Sequence, residues 1–297
     1  MDYHTNHSTN HSMNYNIITQ EDLQQLADFE AAQQRVKTAL ALAGNAGSEG
    51  LLRFFARYTS WNGFFGSGVA TLSGKIGRSR AIFIEPTTPE KLLSDRSVFV
   101  ASYFFDAARD EFDDRDTEHR DTHRCLAQAT LAGVLRYARK QGYDATVAQL
   151  NKYLAEPAWL RTLNAKVAQG YGNGTDDTRD AIMAAIGYHL GSEILADREF
   201  SFIDEYLRKE QKDLTKFLKK AKHEIAGQNH ACYQWLQIHS GHAGAVEADH
   251  FKWATKGAEL AFNFSPKKEH ASMRASLDKG FQAFAKNHKI FFESIVR

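Results

Sequence analysis

The segment IMAAIGYHLGSE, residues 182–193, decides the fold, because its apolar side chains recur every three to four positions. Ile186 and Leu190 share one face of an α-helix, and that face ends at the carboxylate of Glu193. The same spacing recurs in most of the chain from about Thr19 onward, without an alternating strand pattern of useful length. The sequence therefore predicts an all-α protein built as a helical bundle.

The predicted helices follow this periodicity and end near glycine, proline or polar clusters. They cover residues 21–42, 50–76, 89–112, 117–141, 144–155, 157–169, 178–197, 199–226, 228–264 (with a break allowed) and 267–296. Residues 1–18 are polar and rich in His and Asn, so we expect a disordered leader there. Residues 19–297 are expected to form a single helical domain.

Composition limits the class of partner. The 297 residues include 37 basic and 36 acidic side chains, so a net charge of +1 gives no basis for binding nucleic acid or an anionic membrane. No apolar run approaches the roughly 18 residues that span a bilayer. The two cysteines are isolated and the N-terminus lacks the features of a signal peptide, which together predict a cytoplasmic protein.

Six carboxylates and imidazoles lie on stretches that otherwise have the pattern of buried helix faces. They are Glu111, His123, Glu193, His242, Glu247 and His250. Such side chains are rarely buried unless they are paired or hold a metal. Mixed carboxylate and imidazole ligands suit iron or manganese, and bundles build two-metal sites from facing helices. The six residues are therefore predicted to be both metal ligands and catalytic residues.

The sequence supports some of the six predicted ligands more strongly than others. Glu247 and His250 lie three positions apart, so they share a helix face. Glu193 ends an apolar stripe, and the alternative is a helix that reaches the surface there. His123 begins a stripe, but His119 lies one turn earlier and competes with it. Residues expected to surround the ligands or contact substrate are Tyr103, Tyr188, His189 and Trp253.

The order of these motifs is similar to that of a known superfamily. Glu111 precedes an acidic turn and then His123, a small-residue helix leads to Glu193, and residues 242–250 read HAGAVEADH. Over roughly residues 45–265 this pattern resembles the haem-oxygenase-like di-iron oxidases and oxygenases. The resemblance implies a haem-oxygenase-like helical bundle, two Fe²⁺ ions and O2 as co-substrate.

The last motif departs from the superfamily's His-x-x-x-Asp-x-x-His. Four residues separate His242 from Glu247, which on an ideal helix turns His242 about 100° away from the ligand face. A π-bulge near residues 241–245 would restore its direction. His239 has a better angle, but on one continuous helix it would lie about 12 Å from Glu247 along the axis. We therefore predict His242 as the ligand and keep His239 as the alternative.

The predicted function is an O2-dependent non-haem di-iron oxidase or oxygenase. Its partner would be a small-molecule substrate, such as an amino acid or a fatty-acid-like carboxylate, undergoing N-oxygenation or C–C cleavage. Arg53, Arg57 or Lys75 are candidates for holding that carboxylate. The alternatives are a metal-independent cofactor-processing oxidase of the same fold and a non-enzymatic helical binding protein. Iron is not separated from manganese by sequence, and a homodimer is left open.

Overall fold

The protein is described here from a computed structural model, which covers residues 18–112, 121–240 and 246–297. Its elements are α1 (Gln20–Gln24), α2 (Phe29–Asn45), α3 (Gly47–Asn62), α4 (Phe65–Arg78), α5 (Ser97–Phe112), α6 (His123–Lys140), α7 (Val147–Leu154), α8 (Ala158–Gly170), α9 (Arg179–Glu210), α10 (Lys212–Lys220), β1 (Lys222–Ile225), β2 (Gln228–Ala231), α11 (Gln234–His239), α12 (Val246–Asn263) and α13 (His270–Ser294). The predicted all-α class is confirmed.

The two longest helices, α9 and α13, pack along each other at the centre of the bundle. A Cβ atom on Gly187 would overlap the backbone of Leu277, and one on Gly280 would overlap the backbone of Ala184. Both glycines therefore let the two backbones approach closely. The predicted break between residues 197 and 199 is wrong, because α9 is continuous for 32 residues.

Several helices begin later than predicted, and their caps explain why. The predicted helix from residue 117 begins at His123, after Thr122, whose hydroxyl accepts a hydrogen bond from the amide of Cys125 at 3.1 Å. The predicted helix from residue 89 begins at Ser97, because residues 89–96 form turns and one bridge between Ile84 and Asp95. The late start of α6 makes His123 its first residue.

A two-stranded hairpin interrupts the region predicted as helix over 199–226 and 228–264. β1 and β2 pair antiparallel, with Ile225 opposite Gln228. The turn residues Ala226 and Gly227 have φ of 52° and 80°. Hairpin turns with two positive φ values usually carry Asn-Gly or Asp-Gly. The Ala-Gly pair lacks that signal, which is why the sequence did not reveal the hairpin.

The buried core joins most of the helices, and it includes Ile18, which is 4% exposed. Ile18 is the last residue of the predicted leader, residues 1–17 lie outside the described part of the chain, and the division into leader and single domain stays a prediction. Within the described ranges, no helix is long and apolar enough to cross a membrane.

Candidate metal centre

Three helix ends converge on one point of the bundle. Glu111 lies in the last turn of α5, His123 is the first residue of α6, and His239 is the last residue of α11. One ligand atom from each residue lies within 4.8 Å of the other two. In the described part of the chain this is the single group of three such side chains that could share a metal ion. The three donors are one carboxylate and two imidazoles.

Glu111 and His123 are in direct contact. Glu111 Oε1 lies 3.1 Å from His123 Nδ1. Gly66 on α4 makes room for Glu111, because a Cβ there would lie 2.9 Å from the Cβ of Glu111. Burial opposes ionisation of Glu111, but the neighbouring imidazoles, His123 foremost, outweigh it and lower its pKa to about 2. Glu111 is thus held as a carboxylate, the form that binds a metal.

The tautomer of His239 is set by the backbone. Its Nδ1 lies 2.7 Å from the carbonyl oxygen of Trp235, and since a carbonyl only accepts, Nδ1 carries the proton. Burial, followed by the positive charge of His123, lowers the pKa of His239 to about 3, so the ring is neutral at pH 7. The lone pair is therefore on Nε2, which is the arrangement of a metal-ligating histidine.

A second cluster adjoins the first and is centred on Glu193. Its Oε1 lies 3.2 Å from His189 Nδ1, and its Oε2 lies 3.6 Å from His250 Nδ1. The other ring nitrogen of His250, Nε2, lies 3.1 Å from Asp110 Oδ2. His250 is thus held between two carboxylates, and one of these, Asp110, is the immediate neighbour of Glu111.

His189 and Tyr171 support Glu193 from α9 and from the end of α8. Burial lowers the pKa of His189, so its ring is neutral at pH 7. Burial, and then the negative charge of Glu193, raises the pKa of the Tyr171 phenol. The Tyr171 hydroxyl is 2.7 Å from Ser192 Oγ, which itself donates to the carbonyl of His189. These contacts hold in place the part of α9 that carries Glu193.

Unpartnered ring nitrogens test whether this donor set fits a metal. His123 Nδ1 lies 3.1 Å from Glu111 Oε1 and has no other hydrogen-bond partner in the described part of the chain, and His189 Nε2 is buried there without one. A bound ion would satisfy such atoms, but Glu199 Oε1 and His288 Nδ1 share this status, so it does not by itself mark a metal site. The mixed oxygen and nitrogen donors around His123 and His189 fit iron or manganese.

The remaining predicted residues are distributed around these clusters. The Trp253 ring lies 5.4 Å from that of His250. Tyr188 turns its hydroxyl toward Asn287, which donates to it at 3.1 Å, and its ring packs 5.4 Å from Tyr171. Tyr103 packs against Phe99 at 6.0 Å on α5. Of the predicted surrounding residues, His189 and Trp253 thus contact Glu193 and His250 directly.

The sequence favoured His242 over His239 on the assumption that one continuous helix carries His239, His242 and Glu247. That assumption is wrong. The structure ends α11 at His239 and begins α12 at Val246. His239 therefore reaches Glu111 and His123 from its own short helix, and its distance along the axis of α12 has no meaning. His242, His119 and the side chain of Glu247 lie outside the described residues, and their predictions stay predictions.

A cavity of about 310 Å³ opens beside the two clusters. Glu111, His123, Glu193 and His239 form part of its wall, and aromatic rings and Arg124 form much of the rest. The predicted carboxylate anchors are engaged elsewhere. Arg53 contacts Glu49, Arg57 donates to the carbonyl of Ile295, and Lys75 contacts Asp177. Arg124 was missed because an arginine beside a ligand histidine has no distinctive spacing.

Comparison with known proteins identifies the fold alone. The sequence matches no known protein family and no curated protein. Its structure is similar to that of a TenA homolog from Pseudomonas syringae pv. tomato, with a TM-score of 0.51 and 12% sequence identity over 93% of this chain and 91% of that one. The chain therefore has the all-helical TenA and haem-oxygenase-like fold.

Proposed function

We propose that this protein is a metal-dependent oxidoreductase that uses O2 and a pair of iron ions. One ion would be held by Glu111, His123 and His239. The second would be held by Glu193 and His250, joined by Glu247 from the first turn of α12. The observation that carries the proposal is the convergence of Glu111, His123 and His239, whose ligand atoms lie within 4.8 Å of one another at the wall of a cavity.

Bound ferrous iron would supply the binding and reduction of O2, which side chains do not perform alone. The chain's own residues prepare the site. Glu111 supplies a carboxylate at neutral pH, and His239 presents Nε2 because Trp235 holds its other nitrogen. Glu193 Oε1 contacts His189 Nδ1, and its second oxygen, Oε2, faces His250 Nδ1.

The shape of the site favours chemistry on a small organic substrate. Phe65, Phe112, Phe200 and Trp235 line the cavity beside the donors. Apolar walls exclude water from the neighbourhood of the donors, and exclusion of water strengthens electrostatic interactions there. The substrate would lie between these rings and the four donor residues of the wall, where the reaction would take place.

Iron binding is the direct test. The purified protein would be loaded anaerobically with Fe²⁺, its iron content measured after desalting, and O2 uptake followed on exposure to air. We expect about two iron ions per chain and O2 uptake proportional to the iron bound. Glu111→Gln should lose iron, because the amide removes a negative ligand, whereas Glu90→Gln at an exposed position should not. Only trace iron in the unsubstituted protein would overturn the proposal.

One observation favours a second candidate, a metal-independent oxidase of the same fold. The carboxylates already contact imidazoles, with Glu111 3.1 Å from His123 and Glu193 3.2 Å from His189. Imidazole N–H groups could satisfy these carboxylates and contact a cofactor-like substrate without any metal. In that case iron loading would leave O2 consumption unchanged while substitution of His123 would abolish it.

A further inference from the structure

We propose that Arg124 binds the carboxylate of an apolar substrate that carries no α-ammonium group. The inference deepens the proposed function by naming the substrate class of that same cavity. It rests on the proposed function for the reaction, but the binding of the carboxylate can be measured separately.

Arg124 is the second residue of α6, directly after His123, and both line the cavity. Its Nη1 donates to the carbonyl of Thr59 on α3 at 2.6 Å. This bond holds the guanidinium at the cavity wall. An arginine has five N–H donors in a planar fork, so the bond to Thr59 leaves donors of the right geometry for two oxygens of one carboxylate.

Gly63 provides the space in which the guanidinium lies. A Cβ atom on Gly63 would lie 2.9 Å from Arg124 Cζ and closer still to Nη1. The φ of Gly63 is −63°, a value that any residue adopts, so its backbone does not require glycine. The absence of a side chain at Gly63 therefore serves the position of Arg124.

The other wall residues define the rest of the substrate. Among the described residues that line the cavity, Arg124 is the one arginine or lysine, and Glu111 and Glu193 are the two acids. Both acids belong to the proposed metal ligands, so an α-ammonium group would meet no further carboxylate among the described residues of the wall. The aromatic rings opposite suit an aliphatic or aryl tail. The cavity thus fits a fatty-acid-like or aryl carboxylate better than an amino acid.

The probes are octanoate, its neutral analogue octanamide, and 2-aminooctanoate. A cavity of about 310 Å³ is near the lower end of small-molecule sites, which suits a chain of this length. Affinities would be measured by calorimetry on the full-length protein, as purified and again after chelation of metal. We expect octanoate to bind roughly ten times more tightly than either of the other two probes.

Two variants separate the charge of Arg124 from its position. Arg124→Gln should weaken octanoate binding by up to about tenfold, to the level of octanamide, because the ion pair with the exposed guanidinium is lost. Gly63→Ala keeps the charge but displaces the guanidinium, so it should weaken octanoate in the same direction by a smaller factor. Arg53→Gln removes a positive charge on α3 outside the cavity wall and should retain full affinity. Thermal unfolding checks that each variant is folded.

Several results would overturn the assignment. Equal binding of octanoate and octanamide, no binding of either, or unchanged octanoate affinity in Arg124→Gln would each do so. Octanoate binding that disappears on chelation and ignores Arg124 would mean that the carboxylate binds metal instead. Tight binding of 2-aminooctanoate would refute the exclusion of amino acids. If octanoate binding depends on Arg124 while iron loading fails, the proposed function is wrong and the carboxylate site stands.

Discussion

Two glutamate–histidine groups of this bundle, the cluster of Glu111, His123 and His239 and the pair of Glu199 and His288, differ in what surrounds them. In the first, Glu111, His123 and His239 converge beside the cavity, and the side chain of Glu111 is 24% exposed. In the second, Glu199 is fully buried on α9, accepts a hydrogen bond from the Tyr58 hydroxyl at 2.9 Å and lies 3.0 Å from His288 Nε2.

The pair of Glu199 and His288 is enclosed by aromatic rings. His288 packs 4.7 Å from Phe292, and Tyr58 packs 5.5 Å from both Phe200 and Trp235. Its carboxylate accepts a hydrogen bond from one hydroxyl and contacts one imidazole, and Glu199 Oε1 and His288 Nδ1 lack hydrogen-bond partners among the described residues, as His123 Nδ1 does. A buried glutamate beside a histidine is therefore not by itself a metal site. The convergence of a third donor and the adjacent cavity distinguish the first cluster.

The largest expected effect is on stability, from breaking the structural pair. Glu199→Ala should lower the free energy of unfolding by about 3–5 kcal/mol, because it leaves His288 and the Tyr58 hydroxyl buried without their partner. Denaturant unfolding of the metal-free protein measures this loss. Glu205→Ala, at an exposed position on the same helix, should change stability little. A Glu199→Ala protein of normal stability that fails to bind iron would reverse the roles of the two clusters.

Replacing one histidine from each cluster sharpens the contrast. His239→Ala should weaken the affinity for the first iron ion by more than about 100-fold, since removal of a direct ligand exceeds the effect of removing a residue that supports one. His288→Ala should destabilise the fold and yet retain iron in its folded form. Anaerobic Fe²⁺ titration of both variants provides the measurement. Equal iron affinity in the two variants would contradict the assignment.

Asp110 offers a smaller effect within the metal-binding region. Its carboxylate lies 3.1 Å from His250 Nε2 and orients the ring so that Nδ1 points toward Glu193. Asp110→Asn should weaken the second iron ion about 10- to 100-fold and leave the first nearly unchanged. A stepwise titration resolves the two ions. Retention of both affinities would mean that Asp110 does not orient His250.

A further expected effect is the pH dependence of the stability of the metal-free protein. His239 has a pKa of about 3 in the folded state, so the unfolded chain binds its proton more readily below about pH 6.5. Stability should therefore fall as the pH decreases from 6.5 toward 3. Glu111, with a pKa of about 2, adds a further loss only below about pH 4.5. His239→Phe should make the free energy of unfolding less dependent on pH between 6.5 and 4.5. An unchanged slope of stability against pH would show that the pKa of His239 is not lowered in the folded protein.

Local patterns in the chain predicted much of the bundle. The apolar stripe that ends at Glu193 lies on the helix α9, and Glu111 lies in the last turn of α5, as predicted. The patterns failed where tertiary contacts override periodicity. Strands β1 and β2 replace helix on both sides of the predicted boundary at residue 227, and α11 ends at His239 within a stretch predicted as helix with a break allowed. Asp110 was not predicted, because neighbouring residues on a helix point about 100° apart and Glu111 had already been assigned inward.

The sequence by itself determined the helical class and the residue types of the candidate metal centre, because helical periodicity and the burial of charged groups are properties of short segments. Only the tertiary structure decided which donors meet. His239 joined Glu111 and His123 because its helix ends there, whereas Glu199 and His288 paired within an aromatic enclosure. Donor convergence depends on the relative placement of helices distant in the chain. No spacing within one segment encodes that placement.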